Sequence, residues 1–155
     1  MKRAMIVLCG ILLVSGLYAE TNKMTIDINF GTMTDKNFSF DPFFWTAGVE
    51  LDIPFGRALI FSPEATLVGY KFEFKQFLLF PAAILNFTAS SFFIGGGLTK
   101  GFYIGSGTTT EITDIALKLN AGFLGDSLKI TGYIITPFDG IFKDMIIGAT
   151  LGFRL

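Results

Sequence analysis

The chain has 155 residues, of which 51% are hydrophobic and 16% charged, and its formal net charge is −1. There is no basic excess to neutralise phosphates, so we do not expect nucleic acid as a partner. Because the chain has no histidine and its single cysteine is Cys9, we expect no Cys/His metal cluster, no thiol or histidine-assisted catalysis and no cofactor.

The first 19 residues have the pattern of a secretory signal peptide. Lys2 and Arg3 precede an apolar stretch from Ala4 to Val14, and small residues follow it. We predict cleavage after Ala19, with cleavage after Gly16 as the alternative. An uncleaved anchor is disfavoured because the apolar stretch is shorter than the roughly 20 residues of a spanning helix.

Residues 20–155 form one predicted domain in which apolar and polar residues alternate. A period of two places apolar side chains on one face of a strand and polar side chains on the other. No spanning apolar helix is predicted in this region. The eight predicted strands are Lys23–Thr32, Phe44–Ile53, Ala58–Tyr70, Phe77–Thr88, Phe92–Tyr103, Ile112–Phe123, Leu128–Thr136 and Asp144–Leu155.

Two features inside these strands predict local irregularity or close packing. Pro63 lacks a backbone donor, so we expect a bulge or distortion in the third strand. The run Gly95–Gly97 has neither the helix nor the lysine of a phosphate-binding loop. These glycines therefore indicate curvature or close contacts inside a narrow barrel.

The connections between the strands are predicted to alternate between long and short along the whole chain. The longer ones are Thr32–Phe43, Tyr70–Gln76, Ile104–Glu111 and Pro137–Lys143, and the short ones are Pro54–Arg57, Ala89–Ser91 and Leu124–Ser127. Bacterial outer-membrane barrels have short periplasmic turns and longer outer loops. We therefore predict an eight-stranded antiparallel up-and-down transmembrane β-barrel with both termini in the periplasm.

A soluble barrel with its apolar face turned inward would show the same alternation. The polar faces, however, carry too few charges for a water-facing exterior, and aromatic residues cluster near both ends of the strands, as they do at the two membrane interfaces. We expect the polar-face charges to form a paired network in the lumen, because unpaired buried charges are costly. These residues are Asp27, Glu50, Asp52, Glu64, Lys118, Lys129 and Arg154.

The last strand, Asp144–Leu155, alternates large apolar residues up to its end. Its final residues Leu151-Gly152-Phe153-Arg154-Leu155 resemble the terminal-strand signal of bacterial outer-membrane proteins, although Phe153 is third from the end where the family usually ends in Phe. The whole region resembles the small eight-stranded outer-membrane barrels typified by OmpX, the OmpA transmembrane domain and OmpW. This resemblance implies an outer-membrane location, lipid contacts, recognition by the barrel-assembly machinery and a monomer.

Three functions are compatible with this barrel. The first is a non-enzymatic barrel with a structural, surface-interaction or minor small-solute role. The second is a barrel for small hydrophobic ligands, with lumen-facing apolar residues near the outer rim, for which the candidates are Ile60, Val68, Phe93, Tyr133 and Ile135.

The third function is a lipid-modifying enzyme. Lipid-modifying enzymes among the small barrels that this chain resembles use a histidine-assisted serine, and this chain has no histidine. Ser62 beside Glu64, and Ser106 in a Gly-Ser-Gly tip, lack support as nucleophiles. We therefore assign no catalytic, cofactor-binding or metal-binding residue and expect the protein not to be an enzyme.

Overall fold

A computed structural model of the protein describes residues 23–38, 43–70, 73–105, 111–140 and 144–155, without the side chains of residues 73–75 and 111–113. The predicted signal peptide, residues 1–19, lies outside the described residues, and so does Ser106.

The described chain forms a closed barrel in which each strand pairs with its sequence neighbours and β1 pairs with β8. All the pairs are antiparallel, which confirms the predicted eight-stranded up-and-down barrel. Closure leaves no strand edge with unpaired backbone groups. The strands are β1 Thr25–Asp35, β2 Phe44–Phe55, β3 Leu59–Tyr70, β4 Glu73–Ala89, β5 Phe92–Gly105, β6 Glu111–Leu124, β7 Leu128–Pro137 and β8 Ile146–Arg154.

The alternation in the sequence sets which face of each strand turns inward. In β1, Ile26 and Phe30 are 47% and 53% exposed on the outer wall, whereas Asp27 and Asn29 between them are buried in the lumen. A barrel that displays its large apolar residues outside and its polar residues inside has the reverse of the arrangement in a water-soluble domain.

One long connection is predicted wrongly. The segment Tyr70–Gln76 was expected to be a loop, but β4 already begins at Glu73, so only two residues separate β3 from β4. A register shift between Gly69 and Tyr70 accompanies this extension of the hairpin. Long and short connections therefore do not alternate throughout the chain.

Within the described residues of β3, no bulge is found at Pro63, but the alternative expectation, a local distortion, is: the β2–β3 pairing is interrupted there, between the pairs Glu50–Glu64 and Ile53–Phe61. Pairing with β2 keeps one register on both sides of the proline. The missing backbone donor of Pro63 thus removes a ladder hydrogen bond without inserting a residue. The β5–β6 ladder instead shifts its register between Lys100 and Phe102.

The last long connection contains a single 3₁₀ turn at Phe138–Gly140, and β8 begins at Ile146 rather than at the predicted Asp144. Within the described parts of the chain, no helix is long and apolar enough to cross a membrane.

Aromatic side chains pack in pairs near both ends of the barrel. Trp45 contacts Phe77 with ring centroids 6.0 Å apart at the end that carries the longer connections. At the short-turn end, Phe92 and Phe123 meet edge to face at 5.8 Å. We call these aromatic side chains, at the two ends of the barrel, the two aromatic rows. They lie on either side of the apolar outer wall, as membrane-interface girdles do.

Candidate functional site: the barrel lumen

The lumen has an apolar end and a charged end. Near the long-connection end, Met33, Val68, Tyr133 and Ile135 form a buried cluster that we call the apolar cap. Partly buried apolar side chains pack against it, namely Phe44, Leu78, Phe80, Ala116 and Ile146. The cap lies there because its residues come from the parts of their strands next to the longer connections. Val68 is two residues from the end of β3, and Ile135 is two residues from the end of β7.

The charged end is organised around Lys129, whose side chain is buried. Its Nζ atom lies 2.9 Å from Glu50 Oε1, 3.1 Å from Asp52 Oδ2 and 3.7 Å from Asp27 Oδ2. Lys129 projects from β7, whereas the three carboxylates come from β1 and β2. One cation therefore links separate walls of the barrel across the lumen.

Arg154 of β8 completes this basal cluster, by which we mean Asp27, Glu50, Asp52, Lys129 and Arg154. Its Nε atom lies 3.2 Å from Asp27 Oδ1, and its Nη2 atom lies 3.3 Å from Asp52 Oδ2. Nη2 also donates to Thr25 Oγ1 at 2.6 Å. The guanidinium thus ties β8 to both β1 and β2.

Glu64 and Lys118 form a second ion pair farther from the short turns. Glu64 lies opposite Glu50 in the β2–β3 register, and the Lys118 Nζ atom sits 4.4 Å from the centroid of the Tyr133 ring, a cation–π contact. Glu64 and Lys118, which we call the upper pair, therefore lie beside the basal cluster and contact the apolar cap through Tyr133. The structure places all seven sequence-predicted residues inside the barrel, five in the basal cluster and two in the upper pair.

Three carboxylates of the basal cluster are close enough to share a metal ion. Asp27, Glu50 and Asp52 each offer an oxygen, and these atoms lie within 4.8 Å of one another. The ammonium group of Lys129 lies among them, at the place that a cation would take. The donor set is therefore already neutralised in large part by the protein itself.

The charge network predicted from the sequence contains only charged residues and omits the neutral polar residues that orient them. Ser62 Oγ donates to Asp52 Oδ1 at 2.6 Å and accepts from Asn86 Nδ2 at 2.9 Å. Asn29 Nδ2 donates to Glu50 Oε2 at 3.2 Å. The alternation would have identified them, because Asn29 lies on the same face of β1 as Asp27, and Ser62 lies on the same face of β3 as Glu64.

Two inward-facing glycines make room for large lumen side chains. A Cβ atom on Gly148 would overlap the ring of Tyr133, and one on Gly95 would overlap Asn86 Oδ1. Each side chain, from the paired position on the neighbouring strand, therefore packs directly against bare backbone. An eight-stranded barrel has an interior just wide enough for such filling.

A cavity of about 610 Å³ lies at the short-turn end, below the basal cluster. We call it the vestibule, and its lining includes Thr25, Asp52, Arg57, Ile60, Asp126 and Arg154. Because Asp52 and Arg154 belong to both, the vestibule ends where the basal cluster begins.

The five apolar lumen candidates are all buried, but they do not share one level. Val68, Tyr133 and Ile135 belong to the apolar cap at the long-connection end. Ile60 lines the vestibule, and the Phe93 ring centroid lies 5.1 Å from Lys129 Nζ. Their expected position near the outer rim is therefore wrong for Ile60 and Phe93, because each is the second residue of a strand that starts at the short turns.

No family model and no curated protein matches the chain. Among solved structures, the outer-membrane enzyme PagL superposes with a TM-score of 0.55 at 15% identity, covering 83% of this chain and 98% of PagL. The N-terminal β-barrel domain of Pseudomonas aeruginosa OprF gives 0.51 at 12% identity, covering 84% and 97%. A designed transmembrane β-barrel gives 0.51 at 6% identity, covering 88% and 99%. At these identities the likeness shows the fold, which is that of transmembrane β-barrels.

Proposed function

We propose that the chain is an integral outer-membrane β-barrel with a closed lumen. Its role is structural or one of surface interaction through the connections at the long-connection end, with at most minor passage of small solutes. The apolar outer wall between two aromatic rows supports the membrane location, because it would be costly to expose to water and is well matched to lipid.

The observation that carries the proposal is the position of the Lys129 side chain. Its ammonium group reaches from β7 to carboxylates on β1 and β2, and Arg154 adds contacts from β8. The upper pair and the apolar cap fill the lumen above this level. A route for water through the barrel would have to pass all three layers.

In this proposal the short turns face the periplasm and the longer connections face outward. Lipids contact the outer wall, and the barrel-assembly machinery recognises the terminal strand, predicted as Asp144–Leu155, whose Ala149, Leu151 and Phe153 are exposed on that wall. The proposed assembly state is a monomer.

The proposal also holds that the protein is not an enzyme. The hydroxyl of Ser62, the one serine beside a lumen carboxylate that the sequence suggested, is committed as a donor to Asp52 and as an acceptor from Asn86. It is a buried bridge between Asn86 and Asp52 of the basal cluster, which supports a packing role rather than that of a nucleophile.

Two measurements test the proposal. Cell fractionation should place the protein in the outer membrane, and the unboiled protein should migrate differently from the boiled protein on a denaturing gel, as a folded barrel does. Planar-bilayer recordings should then show no stable open-pore conductance. Recovery as a soluble periplasmic protein would overturn the membrane location, and a steady porin-like current would overturn the closed lumen.

A second candidate, a barrel for small hydrophobic ligands, is favoured by the apolar cap at the long-connection end of the lumen. The cap side chains pack against one another, so a ligand would have to displace them. Lipid or detergent that co-purifies inside the barrel and is lost in Val68→Asp would support this candidate.

A further inference from the structure

A groove of about 440 Å³ runs along the outer wall of the barrel, across β5 to β8. The side chains that line it from the outside are all apolar: Ile94, Leu119, Ala121, Ile134 and Ile147. Gly132 also lines the groove, and it is paired with Ala121 on one side and with Ala149 on the other. Ala121 and Gly132, two small residues on adjacent strands, form part of the floor of the groove.

The barrel itself has no need of a glycine at position 132. A Cβ atom there would have the carbonyl oxygen of Ala121 as its nearest contact, at 3.8 Å, which is an ordinary van der Waals distance. Its backbone is not in the left-handed region, where only Gly56 is found among the described glycines. Glycine weakens a strand interior and often marks a place where another molecule approaches the backbone closely.

Two other outward-facing strand glycines are covered by the chain's own side chains. The indole of Trp45 lies over Gly69, and Leu119 Cδ2 lies 3.2 Å from where the Cβ of Gly96 would be. Gly132 has no such cover within the described residues. The outer wall is thus filled at two of these glycines and left open at the third.

The occupant that fits this groove is a thin, flexible hydrocarbon chain. Ile94 stands on its rim with 65% of its surface exposed, so the convex wall of a second barrel would meet the rim before it reached Gly132. Two polar residues, Asn120 and Tyr133, also border the groove, but their side chains are buried on the lumen side of the wall. Apolar surfaces have no hydrophobic drive to associate with one another inside a bilayer. Both points favour a lipid tail over a second copy of this chain.

The position of the groove indicates which leaflet supplies the tail. Its lower edge, Ile94, is the third residue of β5 and lies just above the short turns. The edge-to-face pair of Phe92 and Phe123 marks the aromatic row directly below. A lipid whose headgroup lies at that interface can extend one tail upward past Ile94 to Gly132.

We propose that this groove seats one acyl chain of a phospholipid from the leaflet at the short-turn end. The inference rests on the membrane location proposed above. The bound lipid would cover the floor formed by Ala121 and Gly132, and it would move with the barrel as a retained lipid rather than exchange freely with the bilayer.

The test is native mass spectrometry of the full-length protein, expressed in a bacterial outer membrane and extracted in mild detergent. The wild type should retain one phospholipid on most barrels. Gly132→Leu should lower the phospholipid-bound fraction at least five-fold, because its side chain fills the groove. Ala65→Leu, a matched change at an exposed small residue on the outer wall of β3, should leave retention unchanged. Ala121→Leu is the second variant if Gly132→Leu does not fold, as judged by gel migration of the unboiled protein.

Several results would overturn the proposal. Equal phospholipid retention in the wild type and in both groove variants would do so, and retention of lipopolysaccharide alone would place the tail in the other leaflet. A wild-type dimer that Gly132→Leu converts to a monomer would assign the groove to a second copy. If the wild type is absent from the membrane fraction, the membrane location fails together with this proposal, whereas a membrane-inserted barrel that retains no phospholipid overturns this proposal alone.

Discussion

Lys129 Nζ lies 2.9 Å from Glu50 Oε1, although the two residues are 79 positions apart in the chain and sit on strands that are not neighbours in the barrel. Their contact is possible only because both side chains cross the lumen. It makes the interior of this barrel a set of cross-wall ion pairs, and the consequences of removing them can be measured.

Lys129→Met should lower the free energy of unfolding by about 3–5 kcal/mol, the range for removing one partner of a buried ion pair. The change leaves Asp27, Glu50 and Asp52 close together with Arg154 as the remaining neighbour of opposite charge in the cluster. Urea unfolding in lipid vesicles measures the effect. The exposed Lys23→Met is the control and should change stability by less than about 0.5 kcal/mol. Equal stability of the two variants would contradict the role given to Lys129.

The upper pair should show coupling in a double-mutant cycle. Glu64→Gln and Lys118→Met should each destabilise the barrel, and the double variant should lose less than the sum, with a coupling energy of about 1–3 kcal/mol. The reason is that each single change leaves a buried charge of the opposite sign without its partner. Additive losses in the same unfolding assay would show that the two side chains do not interact in solution.

Gly148 should not tolerate a side chain. Gly148→Val places atoms where the Tyr133 ring lies, and overpacking of this kind costs about 1–3 kcal/mol. The double variant Gly148→Val with Tyr133→Ala should recover part of the loss, because the shortened side chain vacates that space. Gly132→Val on the outer wall, where the Cβ has room, is the matched control in the same unfolding measurement. A harmless Gly148→Val would show that Tyr133 does not pack on bare backbone.

Thiol labelling should reveal one-sided access to the lumen. In a Cys9→Ser background, Thr88→Cys in the vestibule should react rapidly with a water-soluble maleimide. Thr46→Cys should stay unreacted until the protein is denatured, since Thr46 is only 2% exposed. Fast labelling of Thr46→Cys in the folded protein would mean that water reaches the lumen above the basal cluster, and the closed-lumen proposal would then fail.

The side of the barrel on which each residue lies could be predicted from the sequence. The period of two places Ile28 outside and Asp27 inside, and the same rule assigns Lys129 and Arg154 to the lumen. The pairing partners could not be predicted in this way. In the ladders Lys129 lies opposite Leu124 and Gly152, yet its ammonium reaches carboxylates on β1 and β2, because partner choice depends on strand tilt and side-chain length.

The misplaced elements have physical reasons as well. The predicted loop Tyr70–Gln76 overlooks the alternation of polar and aromatic residues in Lys71-Phe72-Glu73-Phe74-Lys75. Glu73 pairs with Tyr70, so the strand begins inside that segment. At Pro63 the sequence predicted an irregularity but not its kind, because a proline can interrupt the ladder without changing the register. The alternation shows that Ile60 faces the lumen, but it does not show how far along the barrel axis Ile60 lies. Its position at the short-turn end was therefore not predicted.

The contact between Arg154 and Asp27 bears on how the barrel reaches its native state. These residues lie opposite each other on the last and first strands, and Arg154 also contacts Asp52 on β2. A sheet that lacks the final strand therefore holds these carboxylates without one of their two cations, in a compartment that is already losing water. When β8 pairs with β1, Arg154 brings its positive charge to these carboxylates as the barrel closes. Closure is therefore favoured as an all-or-none event, in which half-closed forms are short-lived.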